Sequence, residues 1–323
     1  MKTALIIGIS GQDGAYLSKF LLEKGYQIVG TSRDAQVSPF ANLNRLGIRP
    51  SIETESMALN DFRSVISILK KIKPDEIYNL AGQSSVGLSF DQPVETFESI
   101  SIGTLNLLEG LRFLDLPARL YNAGSSECFG NTNGQPADEA TPFRPRSPYA
   151  AAKSAAFWAV ANYREAYGLF ACSGILFNHE SPLRPERFVT KKIVKAACRL
   201  ARGEGQKLRL GNIDIQRDWG WAPEYVDAMW RMLQQEKPDD YVIASGETNK
   251  LQDFVQTVFS ELSLNWEEHV ECNPEFLRPT DIMVSMANPN KSLKNLEWKA
   301  SVLMADVAKL MVKAEMESMV TLC

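Results

Sequence analysis

Thr3-Ala4-Leu5-Ile6-Ile7-Gly8-Ile9-Ser10-Gly11-Gln12-Asp13-Gly14, continued by Tyr16 to Lys24 and then Gln27 to Gly30, is the stretch that decides the architecture. An apolar run, a glycine turn, a helical pattern and a second apolar run read as strand, turn, helix, strand. Glycine lets the backbone turn tightly and approach a pyrophosphate, while the start of the following helix offers free N–H groups and a positive dipole end. Glycine repeats alone are weak evidence, but with a strand before and a helix after, this spacing points to a dinucleotide site. Gly8, Gly11, Gln12, Asp13 and Gly14 are its candidate residues.

The alternation continues outward from that turn. Phe62 to Lys73 reads as helix, Glu76 to Leu80 as strand, Thr96 to Leu114 as helix and Ala118 to Asn122 as strand. Pro148 to Tyr167 reads as a long helix, with Ser147 as N-cap and Pro148 at the first helical position. Strands separated by helices imply an α/β fold with a doubly wound, Rossmann-type parallel sheet. Beyond Phe177 the pattern loosens into a loop at Asn178 to Arg187, a helix at Val189 to Gly203 and turn-rich elements. The expected division is a cofactor-binding domain over residues 1–175 that also carries the catalytic groups, and a smaller substrate-binding lobe over 176–323. Some segments of the lobe should return to the first domain. No repeat, low-complexity segment or linker separates the halves.

Composition narrows the function. The 323 residues can bury a sizeable core, and a net charge of -4 with scattered basic residues argues against a nucleic-acid partner. Met1 to Gly8 lacks a signal-peptide pattern, and no apolar stretch reaches the roughly 18 residues that span a bilayer, so a cytoplasmic protein is expected. Cys128, Cys172, Cys198, Cys272 and Cys323 are odd in number and widely spaced, which suits reduced thiols. With only His179 and His269 as histidines, no metal site is expected.

Three further segments carry chemistry. About twenty residues beyond the glycine turn an acid would hold an NAD ribose, whereas arginine favours the 2′-phosphate of NADP. Thr31-Ser32-Arg33-Asp34 supplies Arg33, which favours NADP, while Asp34 either pairs with Arg33 or accepts from an NAD ribose. Tyr149-Ala150-Ala151-Ala152-Lys153 places a phenol and an ammonium on one helix face, where the cation should lower the phenol pKa and let Tyr149 take a proton as hydride leaves the same carbon. The alternative is an ordinary surface pair. Asn122-Ala123-Gly124-Ser125-Ser126-Glu127 ends a strand at the carboxyl edge of the sheet. If the backbone stays extended, Ser125 and Glu127 face the same way. A carboxylate beside the Tyr/Lys pair suits proton removal next to a ketone and protonation of a leaving group, although Glu127 could simply pair with Arg144 or Arg146.

With these residues in view, the chain resembles the extended short-chain dehydrogenase/reductases and, within them, the GDP-mannose 4,6-dehydratase family. The glycine turn and Phe143-Arg144-Pro145-Arg146-Ser147-Pro148-Tyr149 are similar to that family's cofactor turn and active-site approach, and Tyr163 to Cys172 continues the likeness. Asn178-His179-Glu180-Ser181-Pro182 and Arg217-Asp218-Trp219-Gly220 are more specific than the glycine turn. The resemblance implies an NADP that oxidises C4 of the sugar of GDP-mannose, loss of water across C5 and C6, and return of hydride to C6. It gives Tyr149 the role of base at O4, Glu127 that of acid/base at C5 and O6, Ser125 that of hydrogen-bonding partner, and Lys153 that of tuner of Tyr149 and holder of the nicotinamide ribose. It places Ser84 in the lining of the cofactor and sugar site, and Asn178, Val189, Lys192, Arg217 and Arg278 around the nucleotide diphosphate, a task arginine suits. Leu80, Ala81 and His179 complete the expected cofactor set. The alternative for Asn178 is a residue that only closes a turn, and for Arg217 one that only pairs with Asp218.

The chain departs from the family in three places: Met57-Ala58-Leu59-Asn60-Asp61 stands where an acid after the third strand usually contacts the adenine, Arg33-Asp34 stands where two arginines are usual, and Ser125 stands for threonine. A homodimer or homotetramer is expected. The competing readings are an NADP-dependent reductase or epimerase of a GDP- or UDP-sugar, which needs no dedicated carboxylate, and a non-catalytic nucleotide-sensing module.

Overall fold

The computed structural model describes residues 1–276 and 280–321. Seven strands form one parallel sheet: β1 (Thr3–Ile7), β2 (Gln27–Ser32), β3 (Glu53–Ser56), β4 (Glu76–Asn79), β5 (Arg119–Ala123), β6 (Ala171–Leu176) and, far along the chain, Tyr241–Ile243. With β7 (Asn178–Glu180), β8 (Leu208–Leu210) and β9 (Gln216–Trp221) between them, that last strand is β10. The spatial order is β10-β6-β5-β4-β1-β2-β3. The order reverses between β4 and β1, and the crevice beyond the strand ends there is where such sheets bind ligands. β4 and β6 are buried at every position, as strands covered on both faces must be.

The longer helices are α1 (Gln12–Glu23), α2 (Phe62–Ile72), α3 (Gly103–Phe113), α4 (Pro148–Tyr167), α5 (Val189–Ala201), α6 (Ala222–Gln234), α7 (Leu251–Glu261) and α8 (Met304–Thr321). One core, including Ile6, Leu17, Tyr78, Met229 and Ile243, lies where α1 and α6 cover the sheet. The opposite face, with Leu5, Val65, Leu107 and Val160, is covered by α2, α3 and α4. A separate core of Ile193, Trp219, Phe254, Val258 and Met311 holds α5, α7 and α8 together in the lobe. Around it lie a three-stranded sheet of order β11-β9-β7, where β11 is Thr248–Lys250, and the parallel pair of β8 with β12 (Val270–Cys272).

Local structure departs from the sequence pattern in instructive ways. α1 begins four residues before its apolar pattern does, because Gly11 caps it with an extended backbone and the small residues Gly14 and Ala15 are buried in its first turn, Gly14 against the Gly8–Ile9 backbone. The region read as one helix from Thr96 to Leu114 is a Pro93–Phe97 helix, a π turn over Glu98–Ile102 and then α3. The segment read as loop from Asn178 opens with β7, whose pairing with β9 sequence periodicity cannot show in three residues. Cys128, Cys172 and Cys198 are free and buried, Cys272 is free and exposed, and Cys323 lies outside the described residues. No described helix is long and apolar enough to cross a membrane, and the described residues contain no cluster of His, Cys, Asp or Glu able to hold a metal.

Candidate active site

The glycine turn is pressed between β1 and the exit of β4. Gly8 has φ +83°, and a Cβ there would stand 2.9 Å from both Cα and N of Ala81. A Cβ on Gly14 would stand 2.6 Å from the Gly8 carbonyl oxygen and from Ile9 Cα. No side chain caps α1, so its first-turn N–H groups face the crevice and suit an anion such as a pyrophosphate. A dinucleotide therefore fits this cradle, with Gly8, Gly11, Gly14 and Ala81 as its backbone floor and Leu80 at the cavity wall.

Gln12, Asp13 and His179, all expected at the cofactor, spend their polar atoms on one another. Gln12 Nε2 donates to Asp13 Oδ1 (3.0 Å) and to the His179 carbonyl (3.1 Å), and its Oε1 accepts from Ser181 Oγ (2.7 Å). His179 Nδ1 donates to the Phe177 carbonyl at 2.8 Å and Nε2 meets Asp13 Oδ2 at 2.9 Å, while the ring stacks on Tyr225 with centroids 4.6 Å apart. Burial disfavours both charges, but each is overridden by its partner: Asp13 drops to about 2 and the imidazole rises above its ordinary value. These side chains bolt the cofactor turn to β7. Arg33 follows β2, 86% exposed, and pairs with Glu95 at 3.4 Å; Asp34 does not pair with it but accepts from the Gln36 amide.

α4 starts as its sequence requires, with Ser147 Oγ accepting from Ala150 N and Pro148 in the first turn. Tyr149 and Lys153 are both buried, which excludes the surface-pair reading. Their electrostatics correct the sequence expectation. Lys153 Nζ donates to the Ala123 carbonyl at 2.7 Å and stands 5.9 Å from the centre of the Tyr149 ring. Burial dominates both groups, lowering Lys153 to about 8 and pushing the Tyr149 phenol well above its ordinary value despite a hydrogen bond with Ser125. The backbone beyond Ser125 is not extended either. Ser125 Oγ accepts from Glu127 N at 3.3 Å and caps a 3₁₀ turn over Ser126–Phe129, the competition that short hydroxyl side chains offer to regular structure. Ser125 and Glu127 still both line the same cavity.

A single cavity of about 350 Å³ is lined by Ser125, Glu127, Tyr149 and Lys153 together with Leu80, Ser84, Asn178, Val189, Lys192 and Arg217. Lys192 Nζ donates to the Arg209 carbonyl and lies 4.6 Å over the Phe276 ring. Arg217 is buried and, contrary to the simple pairing with Asp218, makes an ion pair with Asp281 (3.1 Å) and donates to the Gln216 and Ile282 carbonyls. Successive residues of a strand point to opposite faces, and Asp218 instead accepts from the amides of Ser245 and Gly246, with burial raising it to about 6. Asn178 opens β7 rather than merely closing a turn. Arg278 lies outside the described residues. Sequence reading missed Arg184, which lines the same cavity, pairs with Glu180 at 3.1 Å and lies 3.7 Å over the Phe188 ring. No local sequence signal marked it, because the i, i+4 rule belongs to helices and residues 181–184 form a turn after β7.

A glycine cradle at the switch point of a doubly wound sheet, faced by a buried Tyr-x-x-x-Lys helix, defines an enzyme of the short-chain dehydrogenase/reductase type. Residues 5–311 match the sequence profile of GDP-mannose 4,6 dehydratase. GDP-mannose 4,6 dehydratase 1 of Arabidopsis thaliana is 47% identical over 98% of this chain and 90% of its own length, and the GDP-mannose 4,6-dehydratase of Sinorhizobium fredii is 42% identical over 98% and 97%. The UDP-glucose 4-epimerase of Thermus thermophilus, a solved structure, superposes with a TM-score of 0.85 over 97% of this chain and 98% of its own; at 24% identity that likeness concerns the fold. The chain belongs to the GDP-mannose 4,6-dehydratase family. Its activity is accordingly dehydration of GDP-mannose with the family's nicotinamide cofactor, NADP, in preference to the reductase or epimerase alternative.

Proposed function

We propose that residues 1–175 hold NADP and residues 176–323 mainly hold GDP-mannose, and that Ser125, Glu127, Tyr149 and Lys153 convert it to the 4-keto-6-deoxy sugar. The observation that carries this reading is that Glu127 and the buried Tyr149–Lys153 pair line the same cavity as Asn178, Lys192 and Arg217. When bound, the nicotinamide supplies an acceptor for the C4 hydride and later returns it to C6. Tyr149 exchanges a proton with the sugar O4, and Ser125 donates a hydrogen bond that stabilises its phenolate. Lys153 contributes a positive charge close to that phenolate and, on the resemblance, holds the nicotinamide ribose. Glu127 removes the C5 proton, made acidic by the neighbouring ketone, and delivers a proton to O6 as water departs. Arg217, Lys192 and Asn178 offer the diphosphate its cationic and amide donors. Incubating the NADP-loaded protein with GDP-mannose and no added reductant should yield a nucleotide sugar lighter by one water. Recovery of intact GDP-mannose, or of its C4 epimer, would refute the assignment.

The same reading includes self-association. Phe97, Ile102, Leu105, Phe113, Trp158 and Tyr167 are exposed large apolar side chains on two neighbouring stretches, residues 93–113 and α4. We propose that a second copy covers this face, since exposed apolar groups gathered on adjacent helices mark an interaction surface. Light scattering should show a dimer or larger for the wild type and a monomer for Phe97→Glu combined with Trp158→Glu; a monomeric wild type would overturn it.

A further inference from the structure

We infer that Glu315, on the last helix of the chain, is a positioning residue for the nucleotide-sugar site and acts through Lys191. Glu315 Oε2 and Lys191 Nζ meet at 2.7 Å with side-chain exposures of only 8% and 7%. Neither residue lines the cavity. Lys191 Nζ makes a second contact, donating to the Pro182 carbonyl at 3.1 Å. Its neighbour Thr190 donates to Glu180 Oε2 at 2.7 Å, and Arg184 pairs with the same carboxylate. The first turn of α5 is thus tied at two points to the segment 178–184. That segment and that turn supply Asn178, Arg184, Val189 and Lys192 to the cavity wall.

The chemistry of the pair favours positioning over bulk stabilisation. Two charges withdrawn from water recover through mutual attraction about what their desolvation costs, so apolar residues of similar size would stabilise α8 against α5 at least as well. What an apolar pair cannot supply is the donor to the Pro182 carbonyl. Glu315 neutralises the buried ammonium and holds it where it grips that loop. The inference rests on the proposed use of Asn178, Val189, Lys192 and Arg217 for the nucleotide diphosphate.

The test compares two variants in the NADP-loaded enzyme: Glu315→Gln, and the double replacement Lys191→Met with Glu315→Leu. Thermal midpoint, kcat and KM for GDP-mannose, and affinity for GDP by calorimetry are measured for each. Glu315→Gln should lower the midpoint and raise KM about tenfold, equivalent to about 1.4 kcal/mol, with kcat within about twofold of wild type. The double variant should regain the midpoint but keep the raised KM, because the tether to Pro182 is still missing. Should KM recover along with the midpoint, or stay at the wild-type value in both variants, the pair is structural only and the inference is overturned. If Glu315→Gln does not fold, the double variant alone decides. A wild type that binds GDP yet leaves GDP-mannose unchanged would refute the dehydratase reading instead, and positioning would then be read from GDP affinity.

Discussion

Replacing Gly8 by alanine separates two penalties that the structure combines at one atom. The backbone there has φ +83°, in the left-handed region, where an L side chain costs roughly 1–2 kcal/mol. The added methyl would also stand 2.9 Å from Ala81 Cα and N and 3.0 Å from the Leu80 carbonyl carbon. All three are backbone atoms at the exit of a fully buried strand, so they cannot swing aside as a flexible side chain would, and overpacking of this kind costs about 1–3 kcal/mol. The expected total is about 2–5 kcal/mol. Gly25 provides the control, since its φ is +79° and a Cβ there meets nothing within 4 Å, so Gly25→Ala should show the conformational part alone, about 1–2 kcal/mol. Urea unfolding of the three proteins, with NADP affinity measured alongside, checks both parts. Gly8→Ala should lose more stability than Gly25→Ala and should alone weaken NADP, because the displaced turn is the cofactor's floor. Equal losses in the two variants, with NADP affinity intact in both, would refute the argument that close approach of the turn to β4 demands glycine.

Glu127→Gln should leave first hydride transfer intact and slow elimination by about 10² to 10⁴, so that reduced nicotinamide accumulates by absorbance and C5 fails to exchange in deuterated water; normal turnover would make Glu127 a bystander. Arg33→Ala should weaken NADP by roughly 1.5–3 kcal/mol while leaving NAD almost unchanged in paired titrations, and the exposure of Arg33 places the loss at the lower end. The Asp13–His179 pair stabilises the fold between the ordinary carboxylate and imidazole values of 3.8 and 6.5, because Asp13 is shifted down to about 2 and His179 is shifted up. Its contribution is lost as pH falls through about 2 and as pH rises past the raised value of His179. The stability difference between wild type and Asp13→Asn, read from urea midpoints, should therefore be larger at about pH 5.5 than at about pH 9; an unchanged difference would remove the ion pair from the account.

The parallel sheet was legible because β1, β2, β4 and β5 are short β-prone stretches separated by helices, whereas β3, β6 and β10 went unread because their sequences, Glu53–Ser56, Ala171–Leu176 and Tyr241–Ile243, are too polar or too short to stand out. α4 was legible to the residue because Ser147 and Pro148 announce its start and Gly168, with φ +68°, its end. Placement of Ser125, Glu127, Tyr149 and Lys153 on one cavity follows from motif spacing, since each sits a few residues from a strand end or helix start. What sequence could not supply was direction. The 3₁₀ turn after Ser125 rests on a local bond from Glu127 N that competes with extended backbone, whereas the draw of Lys153 toward the Ala123 carbonyl and the partnership of Arg217 with Asp281 depend on groups brought near by tertiary folding. Burial is equally invisible in a motif, which is why the Tyr149 phenol was expected to move down and instead moves up. The bond between Asp13 and His179 spans 166 positions, far beyond any local pattern.

The position of β10 at the edge of the seven-stranded sheet sets a timetable for synthesis. β6 is complete when Leu176 leaves the ribosome, but its outer partner, Tyr241–Ile243, follows only after β7, β8, β9, α5 and α6 have been made. Chain growth proceeds at about 5–20 residues per second, so the nascent sheet presents an unpaired, fully buried-type edge for several seconds. Such an edge is a template for another chain. Until Val242 pairs with Ile175, the outer edge of β6 is open to intermolecular strand pairing.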